Sequence, residues 1–377
     1  MYIWEQKDWP HFTFDSDKIS VVSEECHILQ GKLLSKMECL GFAEKEDKVL
    51  STITADIIKS SEIEGLILNK EQVRSSVARR LGIERAGLVY ADRNIDAVVE
   101  MMLDATQNYE KPLTEERLFG WHACLFPTGY SGMYKIDVGK YRTNEMQVVS
   151  GGIGKEKIHY EAPSAKQVPL EMQKFLEWFN AWPGDSLVKS SIAHLWFVTI
   201  HPFDDGNGRI TRAISDMLLC RSDKTNLRFY SMSSQIEKQK KSYYEILENT
   251  QKGNLDITEW ILWFLNCLLN AIKESYAEAE SVLKKYSFLH QIEDISLNER
   301  QHRVLNKLLN PEWFGVLNTS KWAKLAKCST DTALRDITDL IEKGILEKES
   351  AGGRSTNYKL KKNINSLKRC FAQSRPD

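Results

Sequence analysis

The sequence contains little glycine or proline, no closely spaced cysteine pair, no long hydrophobic run and almost no net charge. Glycine and proline together make up 29 of the 377 residues, about 8% against roughly 12% in average proteins. Few chain breakers favour a mainly helical fold over an all-β fold with many turns. Apolar residues make up 42% and charged residues 27%, and these ordinary globular values exclude a wholly disordered chain.

The seven cysteines are scattered along the chain, and none belongs to a CxxC pair. This arrangement is typical of a reduced cytoplasmic protein and argues against a disulfide framework or a structural zinc site. The N-terminus lacks a basic segment followed by an apolar stretch, so no signal peptide is expected. The most apolar run, residues 257–272, is too short to span a bilayer and is interpreted as a buried helix. We therefore expect a cytoplasmic protein without a membrane partner.

The net charge of −1 conceals two unlike parts. Residues 301–377 contain 15 lysines and arginines against 8 acidic residues, a net charge of +7, whereas the preceding 300 residues carry −8. Charge asymmetry of this kind suggests that the two parts of the chain meet different partners.

Sequence patterns divide the chain into four segments. They are an N-terminal helical region at 1–110, a larger domain at 111–272, a charged connecting helix at 273–296 and a small C-terminal domain at 297–377. In the first two segments the patterns predict the following elements. They are a helix of about 30 residues from Ser16, a helix over 50–64, a helix over 113–126 capped by Thr114, and a β-hairpin pairing 146–149 with 158–160.

The C-terminal segment has the rhythm of three helices and a hairpin. Helices are predicted over 298–309, from a cap at Thr319 or Ser320 to Lys327, and from a cap at Thr330 to Gly344, followed by a hairpin within 345–361. This order resembles a winged helix-turn-helix domain, in which the third helix would be the recognition helix and the hairpin the wing.

The segment with the most chemical information is HPFDDGNGRITR, residues 201–212. An apolar helix is predicted over 191–200, and Pro202 ends it because a residue that precedes proline disfavours helical angles. Gly206 and Gly208 allow unusual backbone angles and the close approach of a ligand. A new amphipathic helix is predicted after Gly208, and the free N–H groups at its start would form an anion site.

Four side chains of this segment suit a polyphosphate. Arg209 and Arg212 lie one helical turn apart near the positive helix end, and two arginines suggest a polyphosphate rather than a single carboxylate. Asp205 offers a hard oxygen ligand where Mg²⁺ would bridge phosphates. His201 titrates near neutral pH and could accept a proton from a hydroxyl group. Together these residues fit phosphoryl or nucleotidyl transfer.

The same segment resembles the HPFx[DE]GNGRxxR signature of the Fic (filamentation induced by cAMP) family, with every fixed position matched. The resemblance implies a protein adenylyltransferase that transfers AMP from Mg-ATP to a serine, threonine or tyrosine hydroxyl of a target protein or of itself. It implies that His201 is the general base and that Asp205 holds Mg²⁺ between the α- and β-phosphates. It also implies an anion hole of Gly206, Asn207 and Gly208, a β-phosphate contact of Arg209, a γ-phosphate contact of Arg212 and a core anchor at Phe203. Asp204 fills the variable position and receives no role.

Two further segments resemble the target and nucleotide sites of the family. The family places its target beside a β-hairpin called the flap, and residues 139–152, where a hairpin is predicted independently, resemble it. The resemblance assigns the flap positions to Val148, Val149, Ser150 and Gly151. It assigns the adenine side of the nucleotide pocket to Tyr243 and Gln251, while the pattern alone leaves core packing open for the tyrosine.

The segment SSEIEG at residues 60–65 matches the inhibitory [ST]xxxE[GN] pattern of the family. Ser60 and Glu64 are four residues apart and share a helix face, and Gly65 is suited to end that helix. In the family this glutamate pairs with the second arginine of the signature, here Arg212, and excludes the γ-phosphate. The resemblance therefore implies the class in which the inhibitory helix lies N-terminal in the same chain.

The basic C-terminal domain leaves other functions open. Its basic residues could contact DNA phosphates; they are Arg335, Lys343, Arg354, Lys359, Lys361 and Lys362. Asp331, Asp336 and Asp339 on the proposed recognition helix would repel DNA, so protein docking or homodimerisation is the favoured role.

The expected fold is mainly α, with a Fic-type helical core, a β-hairpin flap and a C-terminal winged helix-turn-helix domain. The expected function is autoinhibited protein adenylyl transfer using ATP and Mg²⁺. A DNA-binding regulator with a nucleotide-sensing site and a protein de-AMPylase are the alternatives.

Overall fold

The computed structural model describes residues 1–84, 87–150, 157–310, 313, 315–349 and 356–361. These residues form mostly α-helices, together with six short strands that pair as three antiparallel hairpins. The chain divides into two compact units, Met1–Tyr276 and Ala277–Asp377. The mainly helical fold expected from the scarcity of glycine and proline is confirmed.

The first unit begins with a short 3₁₀ turn at Ile3–Glu5. Its helices are α1 (Ser16–Glu38), α2 (Phe42–Ile63), α3 (Lys70–Arg80), α4 (Arg93–Gln107), α5 (Glu115–Leu125), α6 (Val168–Ala181), α7 (Ser186–Ile200), α8 (Asn207–Asp223), α9 (Met232–Lys238) and α10 (Lys240–Gln251). Helix α11 (Thr258–Gln291) includes the boundary residue 276. The strands are β1 (Tyr130–Ser131), β2 (Tyr134–Lys135), β3 (Gln147–Ser150) and β4 (Lys157–Glu161).

Helices α1, α2 and α5 lie where the sequence predicts helices, but only some of their predicted boundaries agree with the structure. Helix α1 starts at Ser16 as predicted but ends at Glu38, because Gly41 takes an extended conformation and begins α2. Helix α2 therefore starts eight residues before the predicted position 50. The Thr114 side chain accepts a hydrogen bond from the Arg117 backbone N–H at 3.2 Å, which confirms the predicted N-cap of α5.

Helix α7 is the centre of the first unit. Every residue from Leu187 to Ile200 is buried, which explains why this stretch shows no polar face in the sequence. Helices α6 and α8 pack against it. The predicted helix α8 is confirmed, and its polar side, which includes Arg209, Arg212 and Asp216, is buried as well as its apolar side. None of the helices that the structure describes is both long and apolar enough to cross a bilayer.

The hairpin predicted before residue 160 is confirmed as β3–β4, called the flap hairpin below. Val148 lies opposite Tyr160 and Val149 opposite Ile158, so a β-bulge interrupts the register between the two valines. The connecting residues 151–156, including the predicted flap residue Gly151, lie outside the described part of the chain. The small hairpin β1–β2, which turns at Gly132 with φ +55°, was not predicted.

The second unit contains the predicted order of elements. They are α12 (Glu299–Leu308), α13 (Thr319–Ala326), α14 (Thr330–Glu342), β5 (Leu346–Lys348) and β6 (Tyr358–Leu360), with β5 antiparallel to β6. The helix caps were predicted one residue too late, because the side chains of Asn318 and Ser329 accept the capping hydrogen bonds of α13 and α14. Trp322, Ile337 and Leu340 are fully buried in the core of this unit. The winged-helix assignment itself stays a prediction.

Candidate active site at the loop between α7 and α8

The loop of residues 201–206 that joins α7 to α8, called the motif loop below, begins and ends in left-handed backbone. His201 has φ +52° and Gly206 has φ +80°. The Asn207 side chain closes the loop, since its Oδ1 accepts from the Phe203 N–H at 3.0 Å and its Nδ2 donates to the Phe203 carbonyl at 2.8 Å. Both ends of this amide therefore bond to Phe203, and the Asn207 backbone N–H is its candidate donor to the predicted anion hole.

Phe203 attaches the motif loop to the core. Its side chain is fully buried and its ring stacks on the imidazole of His122, with 4.3 Å between centroids and 11° between planes. Phe119 and Tyr141 complete an aromatic cluster around it. These ring contacts hold the middle of the loop in place, in addition to its two hydrogen bonds with Asn207.

The His201 ring is oriented as a proton acceptor requires. Its Nδ1 lies 3.0 Å from the Val198 carbonyl oxygen, and because a carbonyl only accepts, Nδ1 carries the hydrogen and Nε2 keeps a lone pair. Burial lowers the pKa of His201 below its usual value. The ring is therefore neutral at physiological pH, which a general base needs.

Arg212 is held by the N-terminal helix α2. Its Nε donates to the Ser60 hydroxyl at 2.8 Å, and its Nη2 donates to the Ser60 carbonyl at 2.7 Å and to Glu64 Oε1 at 2.8 Å. The arginine side chain is 2% exposed and the glutamate 31%. Although burial opposes the charge, the neighbouring Glu64 raises the pKa of Arg212 above its usual value. The structure thus brings together three residues that the sequence pattern connected across 148 positions.

The Glu64 carboxylate lies against the backbone of Gly208. A Cβ placed on Gly208 would coincide with that carboxylate and would approach Arg212 Nη1 to 3.2 Å. Gly65, with φ +80°, directs the chain away immediately afterwards. Two buried side-chain nitrogens next to this position have no hydrogen-bond partner among the described residues. They are Nε of Arg209 and Nη1 of Arg212. Two unsatisfied guanidinium nitrogens and an occupying carboxylate indicate an anion site at the start of α8.

Asp205 is oriented by three groups. Its Oδ2 accepts from the Ser131 hydroxyl, its Oδ1 accepts from the Gly206 N–H at 2.5 Å, and Arg209 Nη2 lies 3.9 Å from Oδ1. The described part of the chain holds no cluster of three metal-ligating side chains. A single carboxylate is nevertheless what a Mg²⁺ bridging substrate phosphates requires, since phosphates and water supply the other ligands. The residues therefore fit the expected ion.

Two residues to which the sequence assigned no role support the motif loop. Asp204, the variable residue of the signature, accepts the Asp137 backbone N–H at 2.9 Å. His122 Nδ1 accepts the Gly139 N–H at 3.1 Å, so its Nε2 carries the hydrogen, 3.2 Å from the Asp205 carbonyl. Burial lowers the pKa of His122 to about 4, so this ring stays neutral. The contact of His122 with the motif loop had no signal in the sequence.

The two side chains assigned to the adenine pocket are buried beside α7. Tyr243 is 2% exposed, and its hydroxyl lies 2.8 Å from His194 Nε2. Gln251 is 5% exposed and donates to the Thr199 hydroxyl at 3.3 Å. Tyr243 packs in the core here, and its assignment to the adenine side of the pocket stays a prediction. The adjacent Tyr244 is partly exposed and donates to the Ile63 carbonyl at 3.2 Å, which connects α10 to the end of α2.

The flap hairpin presents the outer edge of β3. Among the described residues, β3 pairs only with β4, and Val149 is 48% exposed while Val148 is half-buried. The Ser150 hydroxyl lies 2.5 Å from His159 Nε2, and His159 Nδ1 lies 2.6 Å from Glu248 on α10. This chain of contacts attaches the flap hairpin to α10.

Comparisons with known proteins agree with this site. Residues 112–219 match the model of the Fic/DOC family, and residues 2–83 match that of a domain of unknown function, DUF4172. The protein adenylyltransferase Fic of Drosophila virilis is 30% identical over 215 residues, which are 56% of this chain and 40% of that protein. The protein of the same name from Drosophila mojavensis is 25% identical over 218 residues, 56% of this chain and 39% of its own length. The chain thus spans about two fifths of the length of these relatives.

A solved structure has a similar fold along most of the chain. It is the crystal structure of a Fic family protein from Desulfovibrio desulfuricans G20, with a TM-score of 0.52 and 21% sequence identity. The similarity covers 91% of this chain and 95% of that one. At this identity it shows a shared fold and no more.

Proposed function

We propose, from the Fic/DOC domain that residues 112–219 form, that this protein is an autoinhibited protein adenylyltransferase. It transfers AMP from Mg-ATP to a hydroxyl group of a target protein or of itself. The observation that carries the proposal is the pairing of Glu64 with Arg212 against Gly208, beside a histidine whose Nε2 is free to accept a proton.

The start of α8 binds the phosphates of ATP. Arg209 and Arg212 present unsatisfied guanidinium nitrogens there, and the backbone N–H groups at the start of a helix add positive potential. Asp205 would hold Mg²⁺, which when bound would neutralise phosphate charge and support the departure of pyrophosphate. The Ser131 hydroxyl keeps this carboxylate in one orientation.

The reaction is an in-line displacement at the α-phosphorus. The target hydroxyl oxygen forms a bond to that phosphorus while the bond to the α,β-bridging oxygen breaks, and pyrophosphate leaves with the electron pair. The hydroxyl proton passes to Nε2 of His201, which is neutral because burial lowers its pKa. The free edge of β3 in the flap hairpin is proposed to align the target segment by main-chain pairing.

Glu64 inhibits the transfer by occupying Arg212. To bind the γ-phosphate, Arg212 has to give up its contact with the glutamate, whose negative charge also repels the phosphate. Three contacts hold the end of α2 in this position from the side of α10 and α9, namely Tyr244 with Ile63, Lys240 with Glu62, and Lys59 with Glu237. The inhibitory contact is therefore part of a packed interface and is not the property of one side chain.

The position of the radioactive phosphate distinguishes adenylyl transfer from other nucleotide chemistry. The Glu64→Gly variant, incubated with Mg²⁺ and either α- or γ-labelled ATP, is expected to incorporate the α-label into protein and not the γ-label. Labelling from γ-labelled ATP alone, or no labelling of itself or of a cell lysate, would contradict the proposal. Removal of AMP from a protein modified beforehand, tested with the wild-type chain, separates the de-AMPylase alternative.

A second proposal concerns the unit that begins at Ala277, which we propose to be a winged helix-turn-helix that binds duplex DNA. Two of the three acidic residues that argued against DNA binding pair with basic residues of the unit. Asp336 is 5% exposed and pairs with Arg300 at 2.9 Å, and Asp339 pairs with Lys343 at 2.7 Å. Arg335 on α14 is exposed. The full chain is expected to bind random duplex DNA at low salt, seen as a retarded band in a gel, and to release the DNA at higher salt. If no band is retarded at low salt, protein docking or dimerisation remains the role of this unit.

A further inference from the structure

Arg142 is a buried arginine that forms no ion pair with any described residue, although Glu145 and Asp204 lie near enough to act on its charge. Its side chain is 2% exposed, and each acceptor that the structure shows for it is a backbone carbonyl. Burial lowers the pKa of the guanidinium. Placing a cation in such surroundings is costly, and its four carbonyl contacts compensate for this cost together with the charges of Glu145 and Asp204.

Three of the contacts of Arg142 are with the end of α7. Its Nε donates to the His201 carbonyl at 2.8 Å and its Nη2 points to the Ile200 carbonyl at 3.5 Å. Its backbone N–H donates to the Pro202 carbonyl at 2.9 Å. The last carbonyls of a helix lack intrahelical partners and carry partial negative charge, which a cation stabilises.

His201 needs this support because its backbone is strained. A φ of +52° is left-handed, and a residue with a Cβ adopts it at a cost of about 1–2 kcal/mol. The direction of the imidazole depends on this backbone angle. A guanidinium bound to the carbonyls of Ile200 and His201 therefore determines where Nε2 of His201 points.

The other face of Arg142 holds the two ends of the flap hairpin. Nη1 donates to the Asn144 carbonyl at 2.8 Å, three residues before β3, and Nη2 donates to the Pro163 carbonyl, two residues after β4. One side chain thus contacts both the histidine that would accept a proton and the hairpin that would present the hydroxyl. No other described side chain bonds to all three segments.

We propose that Arg142 is a positioning residue for the transfer reaction, which sets the orientation of the His201 ring relative to the flap hairpin. This inference rests on the proposed function. Arg142 contacts neither the anion site nor Asp205, so its role is in the reaction step and not in ATP binding. Misplacement of a reacting group by about 1 Å can reduce a rate about 100-fold.

The test uses Arg142→Gln and Arg142→Lys in the full chain carrying Glu64→Gly, with Arg221→Gln as a matched control. Arg221 also donates to backbone carbonyls, those of Tyr109 and Lys111, but lies outside the site. We expect kcat for AMP transfer to fall about 10- to 100-fold in both Arg142 variants, with KM for ATP changed less than about twofold. The control keeps its kcat. A loss no larger than that of the control would overturn the proposal.

A second readout does not depend on transfer activity. The charges that act on the His201 ring are Arg142, which lowers its pKa, and Glu64 and Asp205, which raise it. NMR titration of ¹³C-labelled histidine rings in the Glu64→Gly background should therefore show a higher His201 pKa in Arg142→Gln, and the acid limb of kcat should move to higher pH. Arg142→Lys should restore the pKa by its charge without restoring kcat, because one ammonium cannot reach four carbonyls.

These readouts separate the failure of this inference from the failure of the proposed function. If the Glu64→Gly parent transfers no AMP, the proposed function fails, and the NMR titration alone decides on Arg142. An unchanged His201 pKa and ring chemical shift in Arg142→Gln would overturn the positioning role in either case. If Arg142→Gln does not fold, as circular dichroism would show, the folded lysine variant decides by its kcat.

Discussion

The strength of the Glu64–Arg212 contact can be measured as a change in ATP affinity. ATP has to displace Glu64 from Arg212, so every kcal/mol of this contact weakens binding in the wild-type chain. A hydrogen bond between charged groups contributes about 1.5–3 kcal/mol. Because the Glu64 side chain is 31% exposed, the lower end of that range applies. One factor of ten corresponds to about 1.4 kcal/mol, so removal of the charge should tighten ATP binding about tenfold.

Glu64→Gln tests this magnitude, because glutamine keeps the shape and removes the charge. Isothermal titration with a non-hydrolysable ATP analogue and Mg²⁺ should show affinities rising from wild type through Glu64→Gln to Glu64→Gly. Glu62→Gln is the matched control, since Glu62 lies on the same helix but pairs with Lys59 at 2.6 Å. Equal Kd values for wild type, Glu64→Gln and Glu62→Gln would refute the reasoning.

Three further predictions follow from the supporting residues. Burial lowers the pKa of His122 to about 4 from 6.5, so the unfolded chain binds more protons below pH 6.5 and the free energy of unfolding decreases as the pH falls. Between pH 7.5 and 5, urea unfolding of His122→Gln should lose about 2 kcal/mol less of this free energy than the wild type. Equal losses in the two proteins would contradict the assignment. Ser131→Ala should raise the Mg²⁺ concentration for half-maximal transfer about tenfold, because Asp205 loses an orienting hydrogen bond. An unchanged Mg²⁺ dependence would show that this hydrogen bond does not contribute to Mg²⁺ binding. Tyr243→Phe should leave the Kd for ATP unchanged and cost about 1 kcal/mol of unfolding free energy, since the Tyr243 hydroxyl bonds to His194. A higher Kd for ATP with unchanged stability would instead indicate that Tyr243 contacts the nucleotide.

The sequence predicted the segments that follow strong local rules. The proline and glycines around the motif loop predicted the end of α7 to the residue and the start of α8 to within two residues, and Thr114 marked the start of α5. The flap hairpin also followed from local composition. The pairing of Glu64 with Arg212 came from a family resemblance, because no local rule connects residues 148 positions apart.

The contacts that support the site could not be predicted, for physical reasons that differ between residues. Hairpin β1–β2 has two-residue strands, which are too short to show alternation, so the contact of Ser131 with Asp205 left no pattern. Tyr243 lies on a helix where a core residue and a pocket residue have the same spacing. The burial of Arg142 depends on carbonyls from three segments, and a carbonyl has no sequence signature.

The central claim is that the motif loop catalyses AMP transfer and that Glu64 restrains it. The most direct test is the initial rate of incorporation of α-labelled ATP, with Mg²⁺, by wild type, Glu64→Gly and Glu64→Gly with His201→Ala. We expect a low rate for the wild type, a rate at least about tenfold higher for Glu64→Gly, and no incorporation by the double variant, which lacks the proton acceptor. Equal rates for wild type and Glu64→Gly, or full activity without His201, would contradict this claim.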